Sequence, residues 1–181
     1  MRLCRVETER RLVALLGELA GWTTDEGEGL ASGGATWWVS VAPVEIPLGR
    51  TIAIGVEPDE MDGDLEQIAI AGTVDPSEDQ WSISCYAFAV GENAYSPIPG
   101  DSDSRQVRAK AAVESAVSDV RELLAANPRL SIDGAEFIGV HDVRVSAMRG
   151  PYFAAPDGGD PGAYASFTIS ARAQLRAGTT H

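Results

Sequence analysis

The chain has 181 residues and a mass of 19.1 kDa, and 44% of its residues are hydrophobic, which is enough for one domain with a sizeable core. Fourteen basic against 27 acidic residues leave a formal charge of −13. That charge disfavours duplex nucleic acid or an anionic membrane as the main partner, since both need clustered Lys and Arg.

The N-terminal run "MRLCRVETERR" carries charges at Arg5, Glu7, Glu9, Arg10 and Arg11, where a signal peptide needs its apolar region. No apolar run approaches the ~18 residues of a membrane span, so the chain is expected to be made and folded in the cytoplasm. Cys4 and Cys85 are far apart and form no CxxC pair, so neither a disulfide scaffold nor a zinc site is indicated. Over residues 6 to 21, Leu12, Leu15, Leu16 and Leu19 fall at i, i+3, i+4 and i+7, which predicts an amphipathic helix with Gly21 as its terminator.

Residues 23 to 35, "TTDEGEGLASGGA", have no periodicity and read as a loop, after which "TWWVSVAPVEI" and "RTIAIGV" read as strands. Trp37 and Trp38 are neighbours on a strand and face opposite sides, so one can enter the core while the other finds different cover, a subunit interface among the choices. The acidic stretch 57 to 66 then leads to "QIAIAGTV" and "WSISCYAFAV", expected as a hairpin through "DPSED". In its second strand Trp81, Ile83, Cys85 and Ala87 share one face, and Ser82, Ser84 and Tyr86 share the other.

A long helix follows, with Asp103 and Gln106 as a capping box. Ala109, Val113, Ala116, Val117, Val120, Leu123 and Leu124 form its core stripe. Lys110, Glu114, Ser118, Arg121 and Glu122 form its polar face, and Asn127-Pro128 ends it. "AEFIGVHDVRVSA" reads as a strand by its β-branched content, and in the last strand Ala163, Ala165, Phe167, Ile169, Ala171, Ala173 and Leu175 alternate with Tyr164, Ser166, Thr168, Ser170, Arg172 and Gln174. Such alternation implies a sheet covered by helices on one side only. The prediction is an α+β domain spanning 1–181, with two amphipathic helices on a mostly antiparallel sheet in the order α-β-β-β-β-α-β-β.

Motifs for chemistry do not close. A GxGxxG phosphate loop beginning at Gly27 needs a glycine at position 32, which is Ser32, and Glu26 and Glu28 would repel a phosphate. The carboxylates of 57 to 66 match no register of a calcium loop. His141 precedes Asp142, and on a regular strand these two point to opposite faces; no G-x-S-x-G elbow supplies a serine either. Asp157 and Asp160 sit among Gly158, Gly159, Pro161 and Gly162, so residues 149 to 162 read as a long link between two paired strands. Tyr152 and Phe153 at its base either pack on the sheet edge or meet a partner subunit. The expectation is a protein that is not an enzyme and holds no catalytic residue, cofactor or metal, with Trp37, Trp38, Tyr152, Phe153, Asp157 and Asp160 as interface candidates.

The layout resembles a family. The helix ending "SAVSDVRELLAANPRL", the strand "GVHDVRVSA", the Gly/Asp-rich loop with an aromatic base and the last strand "AYASFTISARAQL" follow an N-terminal amphipathic helix and paired strands in an order similar to that of the tail terminator proteins of long-tailed double-stranded DNA phages. These are also called tail completion or tail-to-head joining proteins. The likeness spans residues 3 to 176 and rests on element order and hydrophobic pattern, so no individual functional residue is carried over. It implies a virion protein, assembled in the host cytoplasm, that closes on itself as a ring, usually hexameric. Such a ring binds the last ring of the tail-tube protein, stops tube polymerisation and presents a surface to the head-closure or neck protein, with DNA passing through the lumen without specific binding and no membrane involved. A tail-tube subunit, a head-closure connector and a small soluble bacterial enzyme or ligand-binding protein are the alternatives.

Overall fold

The structure, a computed structural model, describes residues 2–24, 37–42, 49–56, 78–90, 102–132, 140–154 and 162–174. Two helices, α1 (Arg2–Gly17) and α2 (Ser102–Ala126), accompany six strands: β1 (Trp22–Thr23), β2 (Trp37–Val41), β3 (Arg50–Ile54), β4 (Glu78–Val90), β5 (Val140–Ala154) and β6 (Gly162–Gln174). The strands form one mixed sheet in the order β1-β2-β3-β4-β6-β5. The β3/β4, β4/β6 and β6/β5 pairs are antiparallel, while β1/β2 and β2/β3 are parallel. The fold is the α+β class expected, mostly antiparallel and in the order α-β-β-β-β-α-β-β.

Both helices pack on one face of the sheet, α1 against β1 to β4 and α2 against β4, β6 and β5. The stripe Leu12, Leu15 and Leu16 of α1 is buried with Leu19 packed beside it, and Ala109, Val113, Ala116, Val117, Val120 and Leu124 of α2 are fully enclosed. Across from α2 lie Ala163, Ala165, Phe167, Ile169 and Ala171 of β6 with Ile83, Cys85, Ala87 and Ala89 of β4. Small residues on both surfaces let the helix approach the sheet closely and fill the space at interior density. Asn127 stops α2 and fixes the next turn: its side-chain NH2 donates to the Ser131 carbonyl at 2.8 Å and its Oδ1 accepts from the Ser131 N–H at 2.9 Å. Arg11 of α1 donates to the Leu130 carbonyl at 3.1 Å, which ties the first helix to the exit of the second.

Several elements differ from the sequence reading. Helix α1 ends at Gly17 rather than at Gly21, and the chain turns so that Trp22 and Thr23, the second of which was expected to begin a loop, form β1 beside β2. The Trp22 N–H donates to the Leu19 carbonyl at 3.0 Å and the Trp37 N–H to the Gly21 carbonyl at 2.9 Å, and the two indoles then meet at 5.8 Å between ring centroids. Helix α2 begins at Ser102, so Asp103 lies inside the helix and is not its capping residue. The described neighbours of β4 are β3 and β6; "QIAIAGTV", its expected hairpin partner, lies outside the described residues, as do the acidic stretch 57 to 66 and residues 25 to 35 of the loop expected over 23 to 35.

Strand β5 is not regular. Its register against β6 shifts between Val140 and Asp142, between Val145 and Ala147, and between Arg149 and Tyr152. Each shift inserts an extra residue and bends the edge strand. The first one falls at His141, so the alternation expected for a regular strand is broken there, and Val140 and Val143 are both buried. The segment from 149 to 154, expected as part of a link, is paired strand up to Ala154 opposite Gly162.

Candidate interaction surface

Because side chains alternate along strands, burying Ile83, Cys85 and Ala87 beneath the helices sends Ser82, Ser84, Tyr86 and Phe88 to the other face. No described helix covers that face. The register places Phe88, Tyr164 and Tyr152 in one row across β4, β6 and β5, and Tyr86, Ser166 and Arg149 in another. The rings touch in sequence: Phe88 and Tyr86 are stacked at 6.2 Å, Tyr86 and Tyr164 at 5.6 Å, and Tyr164 and Tyr152 are tilted at 5.5 Å. An aromatic strip therefore runs from the middle of the sheet to its edge, rising from buried Phe88 to Tyr152, which is 48% exposed. Burial, and then the neighbouring Tyr164, push the Tyr86 hydroxyl well above the ordinary tyrosine range.

Beyond the strip the face is polar. Ser82, Ser170 and Arg144 form a row, and Gln80, Arg172 and Asp142 form the next. Asp142 Oδ2 stands 3.9 Å from the Nε of both Arg144 and Arg172, so two guanidinium groups share one carboxylate.

The six interface candidates do not form one patch. Trp37 is the indole that enters the core, packed on Trp22 with the Arg50 guanidinium 5.9 Å from its ring centroid. Burial holds Arg50 below the usual guanidinium value. Trp38 is half-buried on the other side of β2, and its Nε1 has no hydrogen-bond partner among the described residues. Tyr152 and Phe153 lie on β5, with β3, β4 and β6 between them and β2. Tyr152 joins the aromatic strip, whereas Phe153, 49% exposed, turns towards α2, where Lys110 Nζ sits 3.7 Å from its ring centroid. That cation–π contact makes Lys110 half-buried rather than part of a free polar face. Asp157 and Asp160 lie outside the described residues.

The members sequence reasoning missed are Tyr86, Tyr164 and Phe88. Each was placeable on a strand face, but their union depends on cross-strand register. Among the described residues no three His, Cys, Asp or Glu side chains come together as a metal site, and no helix is long and apolar enough to cross a membrane. His141 is half-buried at the first bulge of β5. No family model matches this chain, and no curated protein matches it.

Proposed function

We propose that this chain is a structural protein of a phage tail, acting as a tail terminator. Copies close as a ring, in the hexameric form the resemblance implies, on the end of the tail tube, stop its polymerisation and offer a docking surface to the head-closure or neck protein, with DNA passing through the lumen. The observation that carries the reading is the sheet with helices on one face and, on the other, an aromatic strip bordered by hydroxyls and arginines. Tyrosine and arginine are the residue types enriched where proteins meet proteins, because each combines a large contact area with a polar end. A ring subunit needs such a surface in addition to its own core.

In this reading the protein performs no chemistry, and its place is the virion at the end of the tail. The test is the mass of the purified protein by light scattering, alone and mixed with tail-tube protein. A closed ring of fixed stoichiometry, or a monomer that assembles on tube ends and halts their growth, supports the reading. A monomer that leaves tube growth unchanged overturns it. His141→Ala is expected to leave assembly intact, with a stability loss of ~1 kcal/mol, and a catalytic activity abolished by this change in a folded protein would favour the enzyme alternative.

A further inference from the structure

At the end of the sheet away from the aromatic strip, β4, β6 and β5 set polar side chains in two adjacent rows, Gln80 with Arg172 and Asp142, and Ser82 with Ser170 and Arg144. Asp142 stands between the two cations, its Oδ2 3.9 Å from the Nε of each. Both separations exceed hydrogen-bonding distance, and among the described residues neither guanidinium makes a hydrogen bond. Each planar fork therefore keeps its Nη donors for another acceptor. Beside them Ser170 is 4% exposed, with an enclosed Oγ that has no hydrogen-bond partner among the described residues, while Ser82 and Arg144 in the same row are exposed. An enclosed hydroxyl without a partner is costly, so the cluster is chemically incomplete as it stands.

We infer that this cluster is a binding site for a small phosphoryl oxyanion, held by Arg144, Arg172, Ser82 and Ser170, in which Asp142 is the counter-ion that the ligand displaces. The donors select the ligand. Two guanidinium forks and two hydroxyls, drawn from three strands, exceed the about four lone-pair sites of a planar carboxylate and suit a tetrahedral group with oxygens on several sides. The charge of the whole chain sets the size of the ligand: at −13, repulsion grows with the charge that approaches, so a lone phosphoryl group is admitted where a nucleic-acid polyanion is turned away. As the ligand enters, the two arginines turn from Asp142 onto its oxygens, and the Ser170 hydroxyl gains the acceptor it lacks. Asp142 in turn holds the forks together when the site is empty, since two guanidinium groups without it would repel each other. The site goes beyond the ring reading and does not depend on it.

The experiment is calorimetric titration of the full chain, at neutral pH and fixed ionic strength, with inorganic phosphate, acetate and a single-stranded oligonucleotide. The proteins are the wild type, Arg144→Gln, Arg172→Gln and Asp142→Asn, each checked for folding by circular dichroism; Arg144→Gln, at an exposed position, carries the comparison if Arg172→Gln does not fold. Phosphate is expected to saturate a single site on the wild type, to bind on the order of tenfold more weakly in each arginine variant, and to bind on the order of tenfold more tightly in Asp142→Asn. The opposite signs are the mark of a displaced counter-ion, because a carboxylate that only supported the arginines would weaken binding when removed. Equal affinity in all four proteins, or no saturable binding to the wild type and Asp142→Asn, overturns the site, and weaker binding in Asp142→Asn overturns the displacement. Acetate that binds as tightly as phosphate overturns the phosphoryl group as the ligand. An oligonucleotide that binds more tightly than phosphate through the same arginines overturns the small ligand in favour of nucleic acid.

Discussion

The carboxylate of Glu9, on α1, lies against the α-carbon of Gly55, so that a β-carbon added there would stand 3.0 Å from both the carboxyl carbon and Oε1. Gly55 follows β3 at a φ of 81°, and its N–H and that of Val56 both donate to the Ser84 carbonyl, at 2.9 and 3.0 Å. The chain thus leaves β3 in a left-handed turn whose open side is filled by a buried side chain of the first helix. Gly55→Ala meets two obstacles, a backbone conformation unfavourable to any β-carbon and a crowded carboxylate, and is expected to destabilise the protein by ~1–3 kcal/mol in urea unfolding. In a Glu9→Ala background the second obstacle is gone, so the Gly55→Ala loss should shrink to the backbone part. Equal losses in both backgrounds would show that Glu9 does not crowd the site.

The two faces of β6 make a second prediction. Ile169 is fully buried between α2 and the sheet, whereas Thr168 is half-buried on the opposite face, in a row with Ser84 and Ala147. Ile169→Ala should lower stability by ~2–5 kcal/mol, the range for deleting a large aliphatic side chain from a packed core. Thr168→Ala should stay within ~1 kcal/mol. Comparable losses at the two positions would mean that the face without a described helix is part of a second core rather than a surface.

Legibility in the sequence followed the range of the forces involved. The stripe of Val113, Val117 and Val120 and the alternation from Ala163 to Ala173 announce themselves because one packing partner lines a whole helix or strand. Strand β1 was hidden because two residues have no period, and Trp22 is held by a partner fifteen residues on. The parallel pairing of β2 with β3 was equally invisible, as strand direction leaves no mark on residue type. The bulges of β5 shift hydrogen bonds without changing composition, so the argument that separated His141 from Asp142 by alternation does not apply to the strand as it folds. The candidate surface suffered most: Tyr86 and Tyr164 were correctly set on polar faces, but only the register of β4 against β6 turns separate tyrosines into a strip.

The third bulge of β5 depends on Gly150, which has a φ of 98°. A β-carbon there would stand 2.9 Å from the Tyr164 carbonyl oxygen and 3.2 Å from the Ala165 α-carbon, both backbone atoms that cannot turn aside. Gly150→Ala should therefore push β5 off β6 at this end and separate Tyr152 from Tyr164, with a loss of ~1–3 kcal/mol. Hydrogen exchange reads the effect locally: the amides of residues 162 to 166 should lose protection while those of 168 to 173 keep it. Unchanged protection near Tyr164 would show that the bulge accommodates a β-carbon and that the aromatic strip does not rely on this glycine.

Alkaline titration tests the interior end of the strip. Burial, reinforced by Tyr164, raises the Tyr86 hydroxyl above the value of 10.0 that it would have in an unfolded chain. The sign follows from linkage: the folded state holds this proton after the unfolded state has released it, so the contribution of Tyr86 is fully present below pH 10 and is lost as pH rises towards the folded value. Urea midpoints of the wild type should accordingly fall as pH climbs from 9 to 11. In Tyr86→Phe no proton is released at this position from either state, so its curve should fall less steeply, and the two proteins should diverge above pH 10 but not between pH 7 and 9. The ring stacking with Phe88 and Tyr164 survives in the phenylalanine, which separates loss of the ionisable group from loss of packing. Parallel curves across the whole range would place the Tyr86 hydroxyl in water and move the inner end of the strip to the surface.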